Sequence, residues 1–428
     1  MGSGTARRVR VVARGVQVMA LSLACSGAAG VEAVRRRATA GGRTTGRSLA
    51  ERVTGLLGVL GPSFVKGGQI LSTRQDLLPE HWRAELRRLY DDVPPPSRRS
   101  IGHALRRAYG ERESWPFTEF DPRPTACGSI ASVHRAVLAD GRVVAVKVRR
   151  MDIERTMGLD SELLRGLARA LRRVPALKRV PLDDLVGQVA DAMVRQLDFT
   201  AEHQALKTLR RNLGGLPFVR VPEPVDDLCA DGVLVMEYLP GLAPFRPDSL
   251  SPDRRREIAT RTLQVVYRML FTDGVVHCDL HPGNLYLDRD LDVVILDAGF
   301  VVELPDRVRR LFSAFFANMV LGRGRRCADI VIESASSWTG DGSLDGFRRE
   351  MAELVERETG ARSGDFELAV FATRLFDLQR RHGLYAAPEF VFPLLSLLVV
   401  EGMIKSLASD VDFQAEALPI LLASRAAG

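Results

Sequence analysis

His277-Cys278-Asp279-Leu280-His281-Pro282-Gly283-Asn284, followed a short way on by Asp297-Ala298-Gly299, is the stretch on which the reading of this chain turns. Between the two segments lie the apolar run Leu285 to Leu287, a polar turn through Asp288 to Asp292, and a second apolar run, Val293 to Leu296. Two short apolar runs around a polar turn predict a β-hairpin. A hairpin brings its ends together, so Asp279, Asn284 and Asp297 are expected to converge. Two carboxylates and an amide oxygen at one spot suit magnesium on a phosphate chain, which takes hard oxygen ligands and leaves positions for water and phosphate. Asp279 would then orient or deprotonate an attacking hydroxyl or water, while Asn284 and Asp297 hold the metal. Any one of these residues alone would be read as a turn cap. The spacing H-x-D-x-x-x-x-N, then a strand pair, then D-x-G, outweighs that reading. His277 is read as a brace for the loop, and His281 is given no role.

On the C-terminal side the pattern is helical almost throughout beyond Asp306. Phe390 to Val400 is too short to span about 30 Å of hydrocarbon and reads as a buried core helix. Asp253 to about Asp273 also reads as a helix, and Leu239-Pro240-Gly241 separates this lobe from the one before it. The preceding lobe is strand-rich. Ser132 to Leu138 and Arg142 to Val148 flank Asp140-Gly141, a strong hairpin signal. A long helix is expected from Leu182 to about Asn212, then strands at Val219 to Val225 and Gly232 to Tyr238. A small sheet with a helix packed on it follows, an α+β lobe. Val144-Ala145-Val146-Lys147 resembles the V-A-I-K element of protein kinases, in which the lysine bridges the α- and β-phosphates and a helix glutamate holds it. Glu202 is the candidate partner. Met236-Glu237-Tyr238 would form the hinge, with its backbone groups, at Glu237 and Tyr238, on the adenine edge.

The chain has 428 residues, 46% of them hydrophobic, so it can bury a sizeable core and is not disordered throughout. Its net charge of +7 comes almost wholly from arginine, with only Lys66, Lys147, Lys178, Lys207 and Lys405 as lysines. No basic run is interleaved with aromatic residues, which argues against nucleic acid as a partner. Cys25, Cys127, Cys229, Cys278 and Cys327 are scattered without a C-x-x-C pair, which argues against a disulfide framework or zinc site and fits a reducing compartment. Gly15 to Val31 is uncharged between arginine clusters (Arg7, Arg8, Arg10, Arg14; Arg35, Arg36, Arg37). It reads as an amphipathic helix, with a segment resting on a membrane surface as the alternative, and the residues before Cys25 make a poor lipoprotein cleavage site. Residues 50 to 95 read as helices with turns, closed by Pro94-Pro95-Pro96.

Within that region Phe64-Val65-Lys66-Gly67-Gly68-Gln69, continuing through Ser72-Thr73-Arg74 and Asp76-Leu77-Leu78-Pro79, resembles the K-x-G-Q motif of the UbiB/AarF family of atypical protein-kinase-like proteins. Ala126-Cys127-Gly128-Ser129 resembles that family's alanine-rich nucleotide loop, and Gln196-Leu197-Asp198, with Glu202 four residues on, its E-x-D element. Three residues depart from the pattern: Gln196 for Glu, Gly128 for the loop's last alanine, and Ala298 for the Phe of D-F-G. Gly128 lets the backbone approach phosphate closely, so the balance between ATP and ADP is open. The resemblance implies an α+β, bilobal protein-kinase-like fold with a small β-rich N-lobe, a helical C-lobe and an N-terminal helical extension crossing the active site. The expected divisions are 1–50, an amphipathic or membrane-associating segment; 51–117, the extension carrying Lys66, Gly68 and Gln69; 118–240, the N-lobe; and 241–428, the C-lobe. It also implies ATP or ADP with Mg²⁺, kinase or ATPase activity, a link to ubiquinone or other isoprenoid-lipid metabolism, and a cytoplasmic or peripheral-membrane location, while the basic excess reads as a solvated surface, with attraction to anionic lipid as the sharper alternative. In that reading Lys66 to Gln69 form a glycine-flanked turn over the nucleotide cleft. Two alternatives remain: a small-molecule phosphotransferase of the aminoglycoside or choline kinase type, which also carries H-x-D-x-x-x-x-N, and a non-catalytic nucleotide-binding scaffold.

Overall fold

The computed structural model describes residues 10–20, 49–73, 78–90, 95–171, 182–244, 250–280, 283–340, 342–359, 366–386 and 388–426. Cys25, Arg35 to Arg37, Arg74, Asp76, Leu77, Lys178, His281 and Pro282 lie outside the described residues, as does the part of the uncharged N-terminal stretch after residue 20. The chain divides into two compact units, Met1–Ala201 with Pro224–Tyr238, and Glu202–Glu223 with Leu239–Gly428.

The first unit opens with helix α1 (residues 10–20), α2 (Leu49–Leu60), α3 (Pro62–Thr73) and α4 (Glu80–Arg87). Arg14 of α1 pairs with the fully buried Asp160 at 2.7 Å and also donates to the carbonyl of Leu60. The expected turn at Lys66 to Gln69 is instead the middle of α3. The helix runs through both glycines because Gly68 meets a cluster of leucines. A Cβ there would stand 2.5 Å from Leu89 and 3.0 Å from Leu57. The missing side chain lets the neighbouring helices close in.

Helix α5 (Arg98–Tyr109), N-capped by Ser97, leads into strands β1 (Phe117–Phe120), β2 (Ala126–Cys127), β3 (Ala131–Leu138) and β4 (Val143–Arg149). With β6 (Val233–Glu237) they form a five-stranded sheet in which β1, β3, β4 and β6 lie in that order and β2 pairs with β3. The hairpin around Asp140-Gly141 is present as expected. Alternation along β4 sends Val144, Val146 and Val148 into a core with Ile101 and Leu105 of α5, Val233 and Val235. Ala145, Lys147 and Arg149 therefore share the other face.

The helix expected from Leu182 to Asn212 is two helices, α7 (Leu182–Arg195) and α8 (Phe199–Leu213), after α6 (Ile153–Leu171). The break has a local cause: the carboxylate of Asp198 accepts from the backbone N–H of both Thr200 and Ala201, at 3.0 Å each. An aspartate in that role starts a new helix rather than continuing one.

In the second unit β5 (Val219–Arg220) is shorter than expected. It joins not the small sheet but a four-stranded one, ordered β5, β10 (Val293–Ile295), β9 (Leu285–Leu287), β7 (Ala243–Pro244). β9 and β10 form the predicted antiparallel hairpin, and β8 (Val275–His277) pairs antiparallel with β11 (Val301–Glu303). Helix α9 (Pro252–Tyr267) passes into a π-helical turn, Arg268–Asp273. Then come α10 (Asp306–Val320), α11 (Gly324–Ser334), α12 (Leu344–Thr359), α13 (Leu368–Arg381), α14 (Pro388–Leu407) and α15 (Phe413–Ala426). The helical run is interrupted by one unexpected strand pair, β12 (Ala335–Trp338) with β13 (Leu384–Ala386). Tyr267 and Phe271 are fully buried beside Phe312, Phe316 and Phe413. Leu397, Leu398, Val400 and Met403 of α14 are buried, as a core helix requires. Among the described residues no helix is long and apolar enough to cross a membrane.

Candidate active site

In the second unit β8 delivers His277 and the loop after it, and the hairpin β9–β10 returns the chain to Asp297. His277 is 1% exposed. Its Nδ1 accepts the N–H of Asp279 at 3.2 Å, so Nε2 carries the proton and donates to the carbonyl of Asp297 at 2.6 Å. One imidazole thus joins the two candidate carboxylate residues through their backbones. The side-chain amide of Asn284 donates to the carbonyl of Asp279 at 2.8 Å, which turns its Oδ1 outward from that bond. Asp297 Oδ1 accepts from the N–H of Gly299 at 2.9 Å. The amide of Ala298 faces Glu202 Oε1 at 3.5 Å, and Glu202 is 1% exposed. The structure therefore brings Asp279, Asn284, Asp297 and Glu202 into one connected set. Ala298, where an aromatic side chain would pack, is itself buried.

The first unit holds the remaining candidates. The loop from Gly128 to Ile130 is a tight turn: Gly128 N–H donates to the carbonyl of Ala131 at 2.8 Å. Arg150 clamps it, with Nε on the carbonyl of Gly128 and its own N–H on that of Ile130, both at 2.9 Å. Ser129 is buried. Burial pushes the Cys127 thiol up, partly offset by Arg150, which disfavours the thiolate. Lys147 lies on β4 beside Ala145, and its ammonium stands 5.4 Å from the centre of the Phe199 ring. Arg149, two residues on, lies over the same ring at 5.8 Å and donates to the carbonyl of Leu197 at 2.8 Å. Arg149 also reaches Asp231 and Glu154, and its bond to Leu197 ties Gln196-Leu197-Asp198 to the lysine strand. Gln196 is buried and Asp198 is exposed at its capping position. Lys66 and Gln69 are 6% and 5% exposed, and Gln69 donates to the carbonyl of Leu89 at 2.9 Å. At the end of β6, Met236 is paired with Ala145, whereas Glu237 is paired with Val144 on the α5 face. Glu237 thus offers the lysine face its backbone only, and Tyr238 follows it.

Sequence reasoning missed Phe199, Arg149 and Arg150. The alternation of Lys147 with Arg149 was the signal for one of them, but no pattern marked the others.

A small five-stranded sheet, a helical unit built on the H-x-D and D-x-G loops, and a helical extension before them define a protein-kinase-like fold. The chain belongs to the ABC1 atypical kinase-like family, whose domain matches residues 88–331. It is 32% identical over 375 residues to a protein of Pseudomonas fluorescens (strain Pf0-1) called "Probable protein kinase UbiB", covering 85% of this chain and 69% of that one. The protein of the same description from Pseudomonas aeruginosa (strain LESB58) is 31% identical over 374 residues, with the same coverage. In fold the chain is similar to Rv3197 from Mycobacterium tuberculosis, solved in complex with erythromycin. The TM-score is 0.57 at 19% identity, over 82% of this chain and 90% of that one. The K-x-G-Q and H-x-D signals thus pointed to the right family.

Among the described residues no group of three or more His, Cys, Asp or Glu side chains could hold a metal by itself. Magnesium is commonly held by one or two protein oxygens together with substrate phosphates, and Asn284 with Asp297 is a donor set of that kind.

Proposed function

We propose that this chain binds ATP or ADP with Mg²⁺ and works as an atypical kinase or ATPase. The observation that carries the reading is the His277 ring, which joins Asp279 to Asp297 while Asn284 is bonded to the same loop. A brace of this kind keeps the two carboxylate residues at a fixed separation, as a shared phosphate-bound cation would require. Asn284 Oδ1 and the Asp297 carboxylate would hold the cation, which supplies charge neutralisation on the phosphate oxygens. Asp279 would accept the proton of the attacking hydroxyl or water. The turn at Gly128 and the ammonium of Lys147 would serve the phosphates, and the backbone at Glu237 and Tyr238 the base. Lys147 and Glu202 are proposed as an ion pair that holds the lysine in place. Lys66, Gly68, Gln69, Gln196 and Asp198 are proposed as the motif that closes this site against extended peptides, which makes generic peptides poor acceptors. The pathway proposed is ubiquinone or related isoprenoid-lipid metabolism, with contact to an anionic membrane surface.

The test is thermal. Mg²⁺ and ATP or ADP together should raise the melting temperature of the whole chain, since a ligand that binds only the native state stabilises it. Asp297→Asn should remove the magnesium-dependent part of the rise. An equal magnesium-dependent shift in the variant would sink the assignment. ATP hydrolysis measured with and without anionic vesicles then checks the membrane part.

A further inference from the structure

The peptide unit between His277 and Cys278 stands immediately before Asp279, and it is held at both ends. Its N–H, from Cys278, donates to the carbonyl of Phe300 at 2.9 Å. Its carbonyl, from His277, accepts from the hydroxyl of Ser396 at 2.8 Å. Ser396 lies in α14, beyond the residues that the family domain matches.

Three features make this contact specific. Ser396 is 4% exposed and neighboured by the buried Leu397 and Leu398, so apolar packing there does not call for a hydroxyl. A hydroxyl buried in such surroundings is unfavourable unless it is hydrogen-bonded. A helical serine commonly returns its hydroxyl to a carbonyl of its own preceding turn, yet this one reaches a residue 119 positions away. With that peptide plane fixed, the direction in which Asp279 leaves β8 is fixed too. The same holds for the His277 ring, which reaches Asp297.

We propose that Ser396 is a positioning residue for the reaction: through the His277–Cys278 peptide it sets where Asp279 stands relative to Asp297. The proposal rests on the nucleotide-handling reading above, so its test includes a readout that does not need turnover. In the full chain, Ser396→Ala is compared with wild type and with Glu401→Gln. Glu401 lies on the same helix, but its carboxylate accepts from the N–H groups of Leu368 and Ala369 at the start of α13, away from His277. Two quantities are measured: kcat and KM for magnesium-dependent ATP hydrolysis, and the solvent exchange rate of the His277 Nε2 proton by ¹⁵N-histidine NMR.

The expected result for Ser396→Ala is a kcat lower by about tenfold or more, with KM for ATP within about threefold, because misplacement of a reacting group lowers turnover more than binding. The imidazole proton should exchange faster by a similar factor, while Glu401→Gln leaves both quantities near wild type. Wild-type kcat and exchange in Ser396→Ala would overturn the proposal. An equal loss of kcat in Glu401→Gln would do the same, since the effect would then be a general loosening of α14. If the wild-type chain hydrolyses no ATP, the functional reading fails by itself and exchange decides Ser396. Faster exchange in Ser396→Ala alone supports it, and equal exchange in all three proteins overturns it.

Discussion

Asp279 and Asp297 are each engaged through the backbone by the same imidazole, yet their carboxylates are assigned different tasks. That difference can be measured. Asp279→Asn should leave the nucleotide-dependent thermal shift close to wild type while turnover falls by about 10²–10⁴-fold, the usual loss when a general base is removed. Equal turnover would make Asp279 a turn residue only. A second residue-scale case is Gly128. Its φ lies outside the left-handed region, and a Cβ there would sit 3.5 Å from the carbonyl oxygen of Ala131, an ordinary contact. Gly128→Ala should therefore change stability by no more than about 0.5 kcal/mol, while the relative affinities for ATP and ADP move. Unchanged affinities for both would detach this loop from the nucleotide.

Among the elements, α2 and α3 place glycines in opposite situations. Gly58 is exposed in α2, and a Cβ added there would meet nothing within 4 Å, so Gly58→Ala should stabilise the chain by about 0.5–1 kcal/mol through helix propensity. Gly68 faces Leu57, Leu86 and Leu89, and Gly68→Ala should cost about 1–3 kcal/mol by overpacking. Denaturant unfolding of the two variants checks the contrast, and equal effects would mean α3 does not pack as described. Helix α14 offers a pH-dependent case. Burial holds the Glu401 carboxyl above its ordinary value, outweighing the α13 amides and Lys405. A raised folded-state pKa means the folded chain binds the proton more tightly than the unfolded one. The stability linked to Glu401 is then fully present below the ordinary glutamate value and is lost as pH rises through the raised one. The stability difference between wild type and Glu401→Gln should accordingly shift toward wild type as pH falls from about 8 to about 5, with other carboxylates cancelling. A difference flat in pH would contradict the burial argument.

For the molecule as a whole, the residues matched by the family domain end inside α11, but the core of the second unit does not. The hydroxyl of the fully buried Tyr267 donates to the carbonyl of Phe413 in α15 at 2.6 Å. Helices α14 and α15 pack on α9, and α14 also packs on β8. A fragment comprising residues 88–331 alone should therefore lack a cooperative thermal transition, because removing those helices exposes the aromatic core around Tyr267 and Phe271. A sharp transition in the fragment would show that the terminal helices are dispensable. The charge pattern acts at this scale too. Several arginine ion pairs are on the surface, as between Arg107 and Asp231 or Arg380 and Asp377, where water and salt screen them. Such pairs contribute little to holding the fold, unlike that of Arg14 with the buried Asp160.

The resemblance of short motifs pointed to the family, and local spacing determined the hairpin that carries Asp297 and the convergence of Asp279 and Asn284, because these two depend on contacts a few residues long and on turn chemistry that local sequence encodes. The pleat of the strand from Val143 to Arg149 fixes which of its residues share a face for the same reason. The break between α7 and α8 was also local, but an aspartate cap looks no different from a metal ligand until its carboxylate is seen on two backbone amides. Tertiary structure alone decided the rest. It set α3 as a helix against three leucines, moved β5 to the second sheet, laid Arg149 and Lys147 over Phe199, and brought Ser396 to His277. Each of these joins residues far apart in sequence, through packing or a single hydrogen bond. Such contacts leave no periodic trace in the chain that makes them.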